Sequence, residues 1–281
     1  VGSFEIGAGP VVMGVLNVTP DSFSDGGRFL DRADAVAHAT ELWQQGADVI
    51  DVGGESTRPG ADRVDAATET ARVLPVIRDL AAAGVPMSVD TSRAEVAAAA
   101  LSAGVSVVND VSGGLADPAM VKVVADAGCP YVIMHWRGHS RRMAELARYD
   151  DVVAEVCAEL RERVDDALTA GIAADKIILD PGLGFAKTAA HNWALTQRLS
   201  EVLALGFPVL IGTSRKRYLG ELLADPSGSP RPELDREAAV VATSLLAVAA
   251  GAWGVRVHEV RGIRDALAVW HASGRPRIGG S

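Results

Sequence analysis

The sequence predicts a single (β/α)8 barrel of the TIM type, an α/β fold, and three observations predict it. Short apolar runs recur eight times, each too short for a helix and each stopping at polar residues or glycine. Alanine- and leucine-rich segments with helical spacing lie between them. No nucleotide-binding glycine fingerprint follows the first run, and no linker rich in proline, serine or charge divides the 281 residues. Strands that alternate with helices pair in parallel through right-handed crossovers. Eight such units suit a closed barrel better than an open sheet. The expected boundaries are an N-terminal extension over 1–10, the barrel over 11–274 and a tail over 275–281.

The first strand is expected from Val11 to Asn17, where the run stops and a polar loop begins that two glycines close. The next seven fall within Asp48–Glu55, Met87–Asp90, Val107–Asp110, Tyr131–His135, Ile177–Gly182, Val209–Ser214 and Val255–His258. Helices are expected near 31–46, 66–83, 93–103, 118–127, 151–170, 190–205, 234–250 and 261–273, with a further helix opening at Ser214-Arg215-Lys216-Arg217. The fifth loop, Trp136 to Asp150, is long and arginine-rich, and is expected to be mobile and mostly solvated.

Composition excludes several functions. A net charge of −9 argues against nucleic acid as a partner, because sequence-independent binding needs a basic face. No apolar stretch is long enough to span a membrane, so no membrane role is expected. No basic segment followed by an apolar one opens the sequence, and its two cysteines form no CxxC pair, which fits a cytoplasmic protein with free thiols. None of the six histidines falls in a zinc-binding spacing.

In a barrel the carboxyl ends of all strands converge on one mouth. Asn17, Asp90, Asn109, Asp180, Lys216, Arg256 and His258 are therefore expected to be neighbours. Asp90, Asn109, Asp110 and Asp180 end apolar runs. A buried carboxylate needs partners, so these groups face a polar ligand, a cation or capping amides, or else cap the following helix. Asp180 is the sharpest candidate, because Pro181-Gly182-Leu183-Gly184-Phe185 makes a tight turn open to a flat ligand. Asp51 is either structural or a support behind the site. The cations at Ser214-Arg215-Lys216-Arg217 open a helix whose dipole disfavours them, which calls for an anionic or electron-rich partner or a solvated helix start. Arg256 and His258 share one face of the last strand. Ser56-Thr57-Arg58-Pro59-Gly60 and the first loop, 18–28 with Asp21 and Phe23, could border a ligand. Asn17 beside a phosphorylated ligand would suit Mg²⁺, which takes few protein ligands.

Seven ordered stretches, from Asn17-Val-Thr-Pro-Asp-Ser-Phe-Ser-Asp-Gly-Gly through Asp51-Val-Gly-Gly-Glu-Ser-Thr-Arg-Pro-Gly, Val108-Asn-Asp-Val-Ser-Gly-Gly, Met134-His, Leu179-Asp-Pro-Gly-Leu-Gly-Phe-Ala-Lys and Ser214-Arg-Lys-Arg to Val255-Arg-Val-His, resemble the dihydropteroate synthases. The resemblance implies a transferase of folate biosynthesis that joins 6-hydroxymethyl-7,8-dihydropterin pyrophosphate to p-aminobenzoate, with Mg²⁺, by dissociative substitution. It implies that Asp90, Asn109, Met134, Asp180, Gly212 and Lys216 bind the pterin. Asn17, Arg256 and His258 would take pyrophosphate, with Asn17 on the metal. Phe23, Thr57, Arg58, Pro59 and Ser214 would border p-aminobenzoate, and Asp90, Lys216, Arg256 and His258 would serve catalysis. A homodimer through helices late in the chain is also implied. Two rivals share the pterin-binding barrel, a corrinoid-dependent methyltransferase and a non-enzymatic pterin binder. The Ser-Thr-Arg-Pro-Gly loop and the Arg256/His258 pair argue against the first, and the intact anion-binding set against the second.

Overall fold

A computed structural model describes residues 6, 9–19, 32–55, 63–139 and 143–274, the side chains of 143 and 144 excepted. Eight strands form one sheet: β1 Val11–Asn17, β2 Val49–Gly53, β3 Met87–Asp90, β4 Val107–Asp110, β5 Tyr131–Met134, β6 Ile177–Asp180, β7 Leu210–Ile211 and β8 Gly254–Val257. They pair in parallel in the order β6-β5-β4-β3-β2-β1-β8-β7. A parallel bridge between Leu179 and Val209, with Leu179 N donating to Pro208 O at 2.8 Å, joins the two end strands and nearly closes the barrel.

Around it run α1 Arg32–Gln44, α2 Ala66–Ala82, α3 Ala94–Ser102, α4 Met120–Ala127, α5 Met143–Leu146, α6 Val152–Thr169, α7 Ala189–Gln197, α8 Leu199–Leu203, α9 Arg217–Leu222, α10 Glu237–Ala250 and α11 Arg261–Ala272. Side-chain caps start several of them; Asp151 accepts from Val153 N and Ala154 N at the head of α6. The single helix expected over 190–205 is two, because Arg198 leaves helical geometry at φ −108° and ψ 29° between α7 and α8. None of the described helices is long and apolar enough to cross a membrane.

Strand period two sorts the core into two layers. Outward residues such as Val12, Leu16, Ile50, Val52, Val89, Ile133 and Val255 pack under the helices. Inward residues Val11, Met13, Val49, Val107, Val132, Ile178, Leu210 and Trp253 fill the amino-terminal half of the barrel. That apolar plug forms the floor of the site. Above it, inward positions turn polar.

Candidate active site

Strand register puts the inward polar residues on a shared level. Asn17 is level with Gly53, Gly53 with Asp90, and Asp90 with Asn109, while Met134 is level with Asp180. Five strands thus deliver Asn17, Asp90, Asn109, Met134 and Asp180 to one mouth, as the sequence suggested. Gly53 matters by what it omits. A Cβ there would lie 3.5 Å from Asp90 Cβ and 3.8 Å from Asn17 Oδ1, so the glycine keeps the gap between them open. At Gly212 a Cβ would stand 3.9 Å from Arg256 Cβ, an ordinary contact.

One level down, Asp51 is fully buried and accepts hydrogen bonds from Ser88 Oγ at 2.6 Å, Asn109 Nδ2 at 2.9 Å and Arg256 Nε at 2.7 Å. Arg256 also donates through Nη2 to Asp90 Oδ2 at 2.7 Å. One guanidinium therefore links β2, β3 and β8 through two carboxylates. Burial, with Asp51, Glu69 and Asp110 nearby, pushes Asp90 up to about 7 against the pull of Arg256. Arg256 itself is raised, because its two carboxylates outweigh the cost of burial. Arg256, expected on pyrophosphate, also organises Asp90 and Asp51.

Across the mouth, Asp180 accepts from Gly182 N at 2.7 Å, and burial raises its pKa against that bond and against Lys216. The turn requires glycine. At φ +68°, Gly182 lies where L side chains are strained, and a Cβ would overlap the His135 carbonyl oxygen. Lys216 sits with Nζ 4.0 Å from the centre of the Phe185 ring; its backbone N donates to Thr213 O at 3.2 Å, while its Nζ makes no hydrogen bond among the described residues. Burial and Arg256 lower its pKa to about 8, against Asp180 and Asp90. Arg236, 8% exposed at the head of α10, fixes the backbone of this segment by donating to the carbonyls of Arg215 and Lys216 at 3.2 Å each.

His258 follows β8, and its Nδ1 is 2.9 Å from Ser214 Oγ. Ser214 Oγ also accepts from His258 N at 3.3 Å, so this hydroxyl meets both the ring and the backbone of His258. Ser214, expected beside p-aminobenzoate, is thereby joined to His258, expected on pyrophosphate. The side chains thus offer acceptors at Asp90, Asp180 and the Asn109 amide oxygen, whose amide N–H is held by Asp51, and donors at Lys216, Arg256 and His258. That pattern matches a flat heterocycle carrying both amino and carbonyl groups, next to an anion.

For Asp110 the capping alternative holds, and for the fifth loop the expectation changes. Asp110 points outward and accepts from Ser112 N at 2.8 Å, Ser112 Oγ at 2.7 Å, Gly114 N at 2.7 Å and Tyr131 Oη at 2.8 Å. Adjacent strand residues face opposite sides, so Asn109 inward means Asp110 outward, capping its loop. In the fifth loop, Arg137 is not solvated. It bonds Glu155 at 2.7 Å and Arg148 O at 2.6 Å, pairs with Glu159, and lies 3.8 Å over the Tyr149 ring. The reason is a neighbouring carboxylate pair on α6, invisible from the loop's own composition.

Phe23, Thr57, Arg58 and Pro59, with Asp21 and Ser56, lie outside the described residues. Phe185, Lys187, His135 and Glu55, on the segments that follow β6, β5 and β2, were not singled out from the sequence. Phe185 and Lys187 sit in the quoted Asp180 motif, so their place was visible but their task was not. Glu55 could have been suspected from its acidic side chain beside a Pro/Gly loop. It accepts from Val64 N at 3.1 Å and pairs with Arg93 at 2.8 Å and Arg63 at 3.2 Å.

Residues 13–258 match the family described as pterin binding enzyme. The dihydropteroate synthase of Mycobacterium leprae is 56% identical over 92% of this chain and 91% of its own. Among solved structures, the dihydropteroate synthase of Xanthomonas albilineans with 4-aminobenzoic acid superposes with a TM-score of 0.86 at 47% identity, covering 94% of this chain and 93% of that one. The same enzyme in complex with 7,8-dihydropteroate superposes with a TM-score of 0.83 at 45% identity over 94% of each chain. Taken with the barrel and its polar mouth, these similarities show that the chain belongs to the dihydropteroate synthases, transferases that condense pterin pyrophosphate with p-aminobenzoate.

Proposed function

We propose that Asp90, Asn109, Asp180 and Lys216 hold the pterin between Met134 and Gly212, and that Asn17, Arg256 and His258 hold the pyrophosphate. The observation that carries this reading is the level set of inward side chains on β1, β3, β4, β5 and β6, with Lys216 and Arg256 facing them. Asp180 and Asn109 satisfy the amino-bearing edge of the ring. Lys216 donates to its carbonyl and ring nitrogen. Ser214, with Phe23, Thr57, Arg58 and Pro59, borders p-aminobenzoate; for the last four this rests on the resemblance and on the bound aryl ligand of the Xanthomonas relative.

The reaction proceeds by dissociative substitution. The bond between the pterin methylene carbon and the bridging oxygen breaks, and its electron pair leaves with pyrophosphate, met by Arg256 and His258. Asp90 and Asp180 provide an anionic surround for the pterin methylene cation. The aryl amine then forms the new C–N bond and releases a proton.

The residues also fit Mg²⁺. Asn17 presents a half-buried amide oxygen at the end of β1, and the described residues contain no cluster of three or more histidine, cysteine or acidic groups to make a protein cage. A single oxygen ligand completed by phosphate and water is how Mg²⁺ is commonly held. When bound there, the ion supplies charge neutralisation for pyrophosphate, and Asn17 holds it. The working form is a cytoplasmic homodimer. Leu222, Leu246 and Val269, on α9, α10 and α11, are 62%, 61% and 70% exposed, which supports an apolar interface on that side.

The test is calorimetric. p-Aminobenzoate is titrated into the protein alone, and again with a pterin-site ligand, pyrophosphate and Mg²⁺ present. Because the anion site adjoins the aryl site, binding should strengthen by about 1–3 kcal/mol in the second case. Equal affinity in both would overturn this arrangement of subsites.

A further inference from the structure

Beneath the mouth lies a half-buried lysine that no proposed substrate contact uses. Lys187, on the loop after β6, donates from Nζ to His135 Nδ1 at 2.9 Å and to the Phe185 carbonyl at 3.1 Å. His135 is 2% exposed. Because the Glu159 carboxylate on α6 only accepts, the ring proton sits on Nε2, 2.9 Å from Glu159 Oε2, and Nδ1 accepts from Lys187. Burial and Lys187 pull the His135 pKa down to about 4, so the ring is neutral. Hydrogen bonds from His135 and Arg137 outweigh burial and bring Glu159 to about 2, so the chain ends on a fixed carboxylate.

The loop is shaped around this lysine. Gly182, Gly184 and Ala186 all have positive φ, at 68°, 81° and 44°, and Tyr149 Oη donates to the Ala186 carbonyl at 3.1 Å. The chain therefore folds back over its own side chain, with residue 185 held on both sides. Its ring then lies 4.0 Å from Lys216 Nζ. Gly184 leaves space for the Lys216 stem, since a Cβ there would come within 2.7 Å of Lys216 Cδ. A lysine on a four-carbon stem has much rotamer freedom to lose, and among the described residues the Lys216 Nζ has the Phe185 ring and no hydrogen bond to restrain it.

We propose that Lys187 is a positioning residue for Lys216: bonded to His135 and to the Phe185 carbonyl, it fixes the Phe185 ring, and that ring holds the Lys216 ammonium toward Asp180. The inference rests on the reading of Lys216 as a pterin ligand. Groups facing Lys187 are Asp180, Glu159, Arg137, Lys216 and His135, and with burial they leave its pKa at about 7.

The experiment is a double-substitution cycle read by calorimetric binding of pteroic acid and by steady-state kinetics. Lys216→Met tests the underlying reading, and an unchanged pteroic acid affinity would remove Lys216 from the site whatever Lys187 does. If that variant binds weakly, Lys187→Met should also lose roughly ten- to thirtyfold in affinity for pteroic acid, the range of a desolvated cation–π contact. KM for the pterin substrate should rise more than kcat falls. In a Phe185→Leu background the same substitution should change affinity less than about twofold, because both act through one ring. Should Lys187→Met not fold, His135→Leu removes the acceptor and carries the same expectation. Unchanged affinity in the single variant, or losses that multiply across the cycle, would overturn the proposal.

Discussion

Arg256→Met should destabilise the protein by an amount that depends on pH, because Arg256 is the counter-ion of two buried carboxylates. It donates to Asp51 and Asp90 at 2.7 Å each, and these acceptors are 0% and 7% exposed. Two charge-assisted hydrogen bonds are worth together about 3–6 kcal/mol, close to the ~3–5 kcal/mol lost when one partner of a buried pair is removed. The pH dependence follows from Asp90. Its folded-state pKa of about 7 lies above the ordinary 3.8, so its contribution is most favourable when it is protonated and is lost as pH rises through 7. Without Arg256 that value rises further, so the variant keeps losing stability above pH 7 where the parent has levelled off. Urea unfolding should therefore show a loss of ~3–5 kcal/mol near pH 8.5, and roughly half of that near pH 5.5, where Asp90 carries its proton in both proteins. Pteroic acid affinity should fall as well, because Asp90 loses its anchor. A loss equal at both pH values, or below about 1 kcal/mol near pH 8.5, would refute the view of Arg256 as an internal counter-ion.

Three further outcomes are expected. Asp180→Asn keeps an oxygen for Gly182 N but replaces an acceptor-only carboxylate, so pterin affinity should weaken by about 2 kcal/mol or more while the melting temperature hardly moves; unchanged calorimetric affinity would remove Asp180 from the site. Asp110→Ala strips four hydrogen bonds and leaves the buried Tyr131 hydroxyl unpaired, so stability should drop by about 3 kcal/mol while the folded fraction binds pteroic acid normally. A large affinity loss would instead put Asp110 in the site. Gly182→Ala places a Cβ on the His135 carbonyl at a positive φ, so denaturant midpoints should show a loss above ~3 kcal/mol, and a loss near zero would mean that the turn yields easily.

What the sequence determined by itself was whatever has a local signature. Eight apolar runs, their polar stops and the helical spacing between them are properties of neighbouring residues, and they were enough to place β1 through β8 and the common mouth. Asn17, Asp90, Asn109 and Asp180 were legible because strand ends converge in any parallel barrel. The tertiary structure alone decided who touches whom. Arg256 reaches Asp51, 205 positions away, because closing the barrel sets β8 beside β1 and carries its side chain past β1 to β2. The split of Asn109 from Asp110 needed the strand's facing as well as its existence. Lys187 meets His135, 52 positions earlier, only because β5 and β6 are adjacent and a left-handed loop turns the lysine back under them. Hydrogen-bond partners across strands are chosen by register and closure, which no window of sequence contains.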